Sequence, residues 1–163
     1  MKKRKIYYYY KWLGVKPLYI TIPLYVILEY LIGIIPIILL FLFGISFSDI
    51  GGPELHIGLF YIVFLGIICP LIETFISQFL IIYLVSKFTK SISIPILISA
   101  LQFSLMHTYS MWYMITTFFI GLIFAFGFSS YYRYKGFKVA FLSIAFVHCV
   151  KNLVVFLSFY LWD

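Results

Sequence analysis

The stretch IGLFYIVFLGIICPLIETFISQFLIIYLVS, residues 57–86, decides the fold: thirty consecutive positions hold one acid, Glu73, and no lysine or arginine. As a helix it rises about 45 Å, more than enough for the roughly 30 Å of hydrocarbon in a bilayer. On either side lie apolar stretches of the same kind, near Leu18–Phe43, Ile92–Tyr109, Met111–Phe128 and Val139–Leu161. With Ile57–Ser86 they predict an all-α polytopic membrane helix bundle of about five transmembrane helices. The spans fill residues 1–163 as a single transmembrane domain and leave no room for a soluble one.

Composition agrees. The chain of 163 residues is 64% apolar and 10% charged, with a mean hydropathy of +1.10, which excludes a soluble globule. Five acids (Glu29, Asp49, Glu54, Glu73, Asp163) face twelve Lys or Arg, a net charge of +7. Beside a bilayer that charge pairs with anionic lipid, and no nucleic-acid partner is implied. Its distribution is one-sided. Lys2, Lys3, Arg4, Lys5, Lys11 and Lys16 precede the first stretch, Lys87 and Lys90 follow the second, and Arg133, Lys135 and Lys138 follow the fourth. The alternate segments carry only Asp49, Glu54 and, at the end, Asp163. The positive-inside rule then predicts a multi-pass cell-membrane protein with a cytoplasmic N-terminus and an external C-terminus.

Tyr7 to Tyr10 and Trp12, set among lysines, read as an interfacial anchor rather than a base-stacking surface. Gly51, Gly52 and Pro53 mark an external turn. Cys69 and Cys149 have neither the count nor the spacing of a disulfide framework or zinc knuckle, so they read as small core residues. His56, beside Glu54, reads as a solvated loop histidine.

Ionisable and amide side chains at membrane depth are costly and mark either function or interhelical glue. They are Glu29 in the first stretch, Glu73 and Gln78 in the second, Gln102 and His107 in the third, and His148, Lys151 and Asn152 in the fifth. His148 and Asn152 are four residues apart, one helical turn on one face. Glu73 follows Pro70, which lacks an N–H and kinks helices. Phe103, four residues before His107, shares its helical face as a candidate pocket wall. Such a set has the chemistry for hydrolysis: Glu73 takes a proton from water and returns it to the leaving amine, His107 orients the water, and His148 with Asn152 donates to an oxyanion. The competing reading is a set of interhelical hydrogen bonds that hold the bundle together. Gly121 with Ala125 gives the fourth stretch a small-residue packing face. Thr116, Thr117, Ser129 and Ser130 read as satisfying backbone groups, since no serine-nucleophile motif accompanies them.

The order of PLIETFISQFL (70–80), FSLMH (103–107), FFIGLIFAFGF (118–128) and HCVKN (148–152) resembles the CPBP family of intramembrane proteases. This is also called the CAAX protease or bacteriocin-processing and immunity (Abi) family. Its signature is a Glu-Glu-x-x-x-Arg helix, a Phe-x-x-x-His helix, a glycine-containing helix and a His-x-x-x-Asn or Asp helix. The resemblance covers residues 70–152. It implies an intramembrane endopeptidase acting on a peptide or membrane-associated protein, in bacteriocin immunity or peptide maturation. Glu73 would activate water, His107 would be its partner, and His148 and Asn152 would form the oxyanion side. Where the family carries its second Glu and its Arg, this chain has Thr74 and Gln78. Lys151 is a candidate substitute for the missing positive charge, against the alternative that it pairs with Glu29. With those two positions changed, the alternative function is a catalytically inactive immunity or membrane scaffold protein. No cofactor is expected. Glu73, His107 and His148 are acceptable zinc ligands in type, but no HExxH occurs, and the resemblance favours water held directly by Glu and His. Nothing in the sequence sets an oligomeric state.

Overall fold

The computed structural model describes residues 2–52 and 58–162, and every regular element among them is helical. Pro53, Glu54, His56 and Asp163 lie outside the described residues. The helices are α1 (Lys2–Val15), α2 (Leu18–Leu42), α3 (Phe47–Ile50), α4 (Leu59–Ser86), α5 (Ser93–Leu105), α6 (Met111–Lys135) and α7 (Phe137–Trp162). Of these, α2, α4, α6 and α7 are long and apolar enough to cross a membrane, while α5 is a shorter apolar helix. The third sequence stretch is therefore helical only as far as Leu105, and His107 lies beyond the helix end.

Local chemistry sets the boundaries. Pro17 starts α2 from an extended backbone, and Gly44, at a φ of 79°, lies just beyond its end. The hydroxyl of Ser110 accepts from the Tyr113 amide to cap α6, and Gly136, at φ 83°, turns the chain into α7. A capping box of Ser46 and Asp49 forms α3, and its hydrogen bonds from the Ser46 side chain and amide hold the exposed Asp49 carboxyl below the usual range. Ser110 also donates to the Ile50 carbonyl, tying this loop to the start of α6.

Helix α6 is central, packing against α1, α2, α5 and α7. Its buried side chains Phe124, Ala125, Phe128 and Tyr131 meet Tyr25 of α2, Phe103 of α5 and Ile144 of α7 in one core. Large apolar side chains also cover the outer faces, including Ile38 and Phe41 of α2, Ile72 and Phe75 of α4 and Leu142 and Phe146 of α7. That apolar periphery is the pattern of a bundle solvated by lipid. Gly121 does provide close packing: a Cβ there would lie 3.0 Å from the Phe103 ring and 3.2 Å from the Ala100 backbone. Thr116 and Thr117 bond carbonyls of their own helix, as expected.

Two expectations are corrected. Tyr7, Tyr8 and Tyr9 are exposed as an interfacial belt requires, but Tyr10 is buried. Its hydroxyl donates to the Ser129 carbonyl at 2.7 Å while Ser130 donates back to its carbonyl at 2.7 Å. Once residues 2–15 are helical, Tyr10 and Leu13 share a face, and that face docks on α6. Cys69 and Cys149 are free thiols, but partly exposed rather than core residues, with the Cys149 thiol set 3.8 Å from the Ile67 carbonyl of α4 at the edge of the packed interface.

Candidate active site

The backbone of α4 departs from α-helical pairing in two π-helical stretches, Phe64–Ile68 and Thr74–Leu80, with a short α segment, Cys69–Glu73, between them. The first follows from Pro70. The Cys69 amide bonds the Phe64 carbonyl, and Pro70 has no N–H to offer the Leu65 carbonyl. That orphaned oxygen is taken by the Asn152 side-chain amide of α7 at 2.9 Å. Gly66 permits the approach, since a Cβ there would meet the Leu153 side chain at 2.8 Å.

Higher on the same pair of helices, His148 Nε2 lies 3.4 Å from Glu73 Oε2. The separation exceeds a direct hydrogen bond, and Oε2 has no hydrogen-bond partner among the described residues. His148 is buried against the Phe124 ring, 4.7 Å between centroids, and the Phe103 ring, 5.6 Å. His107 sits on the other side of Phe103, with centroids 4.6 Å apart, so one aromatic ring walls both imidazoles. The His107 Nδ1 is 2.7 Å from the Phe103 carbonyl. A carbonyl can only accept, so Nδ1 carries the proton and Nε2 of the neutral ring keeps a lone pair for another donor.

Depth explains why these groups meet. Counted from the ends of α4, α5 and α7 that border the basic segments at 1.5 Å per residue, Glu73 and His148 lie about 20 and 17 Å along α4 and α7, and α5 ends at Leu105 about 18 Å along, two residues before His107. Because α5 stops at Leu105, the segment carrying His107 turns at about the level that Glu73 and His148 reach on their own helices, rather than running on as helix to Tyr109. Irregular backbone is tolerated there only when protein or a wet cavity surrounds it.

The inward face of α4 is polar beyond Glu73. Thr74 and Gln78 are fully buried. Thr74 Oγ1, both amide atoms of Gln78, Glu73 Oε2 and His148 Nδ1 are buried without a hydrogen-bond partner among the described residues. Each such atom costs on the order of 1–3 kcal/mol unless water or the polar groups of a substrate reach it. Water or another polar group reaching the space between α4 and α7 would satisfy these atoms.

Of the expected site residues, the structure brings together Glu73, His148 and, across Phe103, His107. Asn152 shares the α7 face but spends one amide N–H on Leu65. Sequence reading missed Tyr113. Its ring lies 5.9 Å from His107, and it falls within electrostatic reach of Glu73. No spacing signals it, because the bend between α5 and α6 creates the contact. Among the described residues, no three His, Cys, Asp or Glu side chains converge closely enough to hold a metal ion. The donor set a zinc site needs is thus not assembled in this arrangement.

No curated protein and no solved structure matches the chain. Residues 55–154 match the family described as type II CAAX prenyl endopeptidase Rce1-like, a stretch that contains Glu73, His107, His148 and Asn152. The polytopic bundle and this match over more than half its length make the chain a membrane protein that belongs to the Rce1-like family of type II CAAX prenyl endopeptidases.

Proposed function

We propose that this protein is an intramembrane endopeptidase of the cell membrane that hydrolyses a peptide bond in a peptide or membrane-associated protein. Glu73 takes a proton from a water that His107 orients through Nε2. The resulting hydroxide attacks the carbonyl carbon, and the His148 N–H donates to the oxyanion, a contact worth about 3 kcal/mol in comparable sites. The C–N bond then breaks as Glu73 passes its proton to the leaving amine. The second N–H of Asn152 is left to assist His148. What carries this reading is the 3.4 Å approach of Glu73 to His148 with the carboxylate oxygen otherwise unpartnered, in a chain of a protease family.

A second reading, a non-cleaving bacteriocin-immunity or scaffold protein, draws support from Thr74 and Gln78 standing where a second acid and an arginine are expected. One experiment separates the two. Wild type and Glu73→Gln are expressed at matched levels, and peptides released from the membranes are compared by mass spectrometry, with His148→Ala alongside. Peptides are expected with wild type only, at least about a hundred-fold above either variant. Their release is expected to persist in chelator. Identical profiles from folded wild type and Glu73→Gln overturn the hydrolase in favour of the scaffold. Reversible loss in chelator, restored by zinc, overturns the metal-free mechanism.

A further inference from the structure

Hydrolysis as derived leaves two charged residues at membrane depth without a task, Glu29 and Lys151. Glu29 is buried in α2 with 2% of its surface exposed, and its Oε2 has no hydrogen-bond partner among the described residues. Its carboxyl faces inward: Oε1 lies 4.0 Å from the Cβ position of Gly33, which itself abuts Ile120 of α6. An ionised carboxylate in such a place costs several kcal/mol unless a cation answers it. The neighbouring residue supplies the geometric link, since the Tyr30 hydroxyl comes to 3.5 Å from the Lys151 backbone carbonyl. That approach, where α2 packs on α7, sets the Glu29 turn beside the turn of α7 between His148 and Asn152. The Lys151 ammonium lies within electrostatic range of Glu29, Glu73, His107 and His148. It nevertheless forms no ion pair within 4 Å with either carboxylate.

A single lysine facing Glu73 alone would close on it, because opposite charges in a low-dielectric interior attract strongly. A carboxylate held in such a pair has its lone pairs engaged and makes a poor base. A second carboxylate on the far side of the lysine opposes that collapse. We propose that Glu29 is a positioning residue for the reaction. It holds Lys151 between α2 and α4, so that the cation supports Glu73 and the histidines from a distance instead of pairing with Glu73. The inference rests on the hydrolase reading above and adds to it a residue from outside the family-matched segment, residues 55–154.

The test uses full-length chains in membranes and the release rate of the wild-type peptides as its readout, with Glu73→Gln as the floor. Glu29→Gln and Lys151→Met are each expected to slow release about ten-fold. The double variant is expected to be no slower than Lys151→Met alone, because Glu29 acts only through the lysine. Lys151→Arg, which keeps the charge, should stay within about three-fold of wild type. Membrane accumulation and thermal unfolding of each variant control for folding, and a purely structural pair would show its coupling in unfolding rather than in the release rate per folded protein. A folded Glu29→Gln releasing peptide at the wild-type rate overturns the inference while the hydrolase stands. So does a double variant that multiplies the two single losses. If wild type and Glu73→Gln release the same peptides, the hydrolase reading fails and takes this inference with it, and that outcome is distinct because every variant then behaves alike.

Discussion

At the residue scale, Pro70 and Asn152 form a pair that neither explains alone. Proline removes the amide that would satisfy the Leu65 carbonyl, and the Asn152 amide replaces it across the helix interface at 2.9 Å. Asn152→Leu is therefore expected to lower stability by about 1–3 kcal/mol, read as unfolding of the purified protein in detergent. Giving position 70 an amide with Pro70→Ala should shrink that cost, so the double-mutant cycle returns a coupling energy on the order of 1 kcal/mol. Additive losses would mean that Asn152 does not serve Leu65. The four-residue spacing of His148 and Asn152 places them on one face, but does not encode what that face meets. The partner carbonyl, eighty-seven positions away, is exposed only because a π-helical turn forms, and no side-chain pattern encodes that.

At the element scale, the surprise is the shortness of α5. Residues 92–109 contain neither glycine nor an internal stop after Pro95, so apolar pattern alone carries the helix through to Tyr109. What ends it is the start of the next element. Ser110 must be extended to cap α6, and the Ser104 hydroxyl donates to the Met114 carbonyl at 2.6 Å to close the bend. That bend leaves His107 packed on Phe103 just past the end of α5, at about the level of Glu73 by residue count. Phe103, by contrast, was legible as a wall because the four-residue spacing to His107 survives at the very end of the helix. The packing of α5 on α6 is the element contact on which the site depends. Gly121→Val would press a branched side chain into the Ala100 backbone and the Phe103 ring, where overpacking costs about 1–3 kcal/mol. The expected result is a protein that still accumulates but cleaves at least about ten-fold more slowly, as Phe103 and His107 shift together. Unchanged cleavage with unchanged unfolding would show that α5 and α6 have slack at this crossing.

At the scale of the whole molecule, the one-sided charge that sequence arithmetic found has a structural counterpart. Tyr10 of α1, Lys90 of the segment after α4, and Ser129 and Arg133 at the end of α6 line one polar cavity, so the basic segments gather at one end of the bundle. The acidic capping box of α3 packs instead at the opposite end, where Ser110 begins α6. Such polarity is strong in sequence because it depends on loop charges and an even number of crossings, both robust to errors in where a helix stops. It survives even though α5 is too short to be counted as a straight span, since the segment after it carries the chain on to the start of α6. The basic end is accordingly expected to face the cytoplasm. With Cys69 and Cys149 replaced by alanine, a membrane-impermeant maleimide on intact cells should label Ile45→Cys and spare Ser91→Cys until the membrane is permeabilised. Labelling in the opposite order would invert the orientation. Glu73 lies 13 residues from Ser86 and 14 from Leu59, about midway along α4, so its depth is the same in either orientation and only the two ends of the bundle would exchange sides.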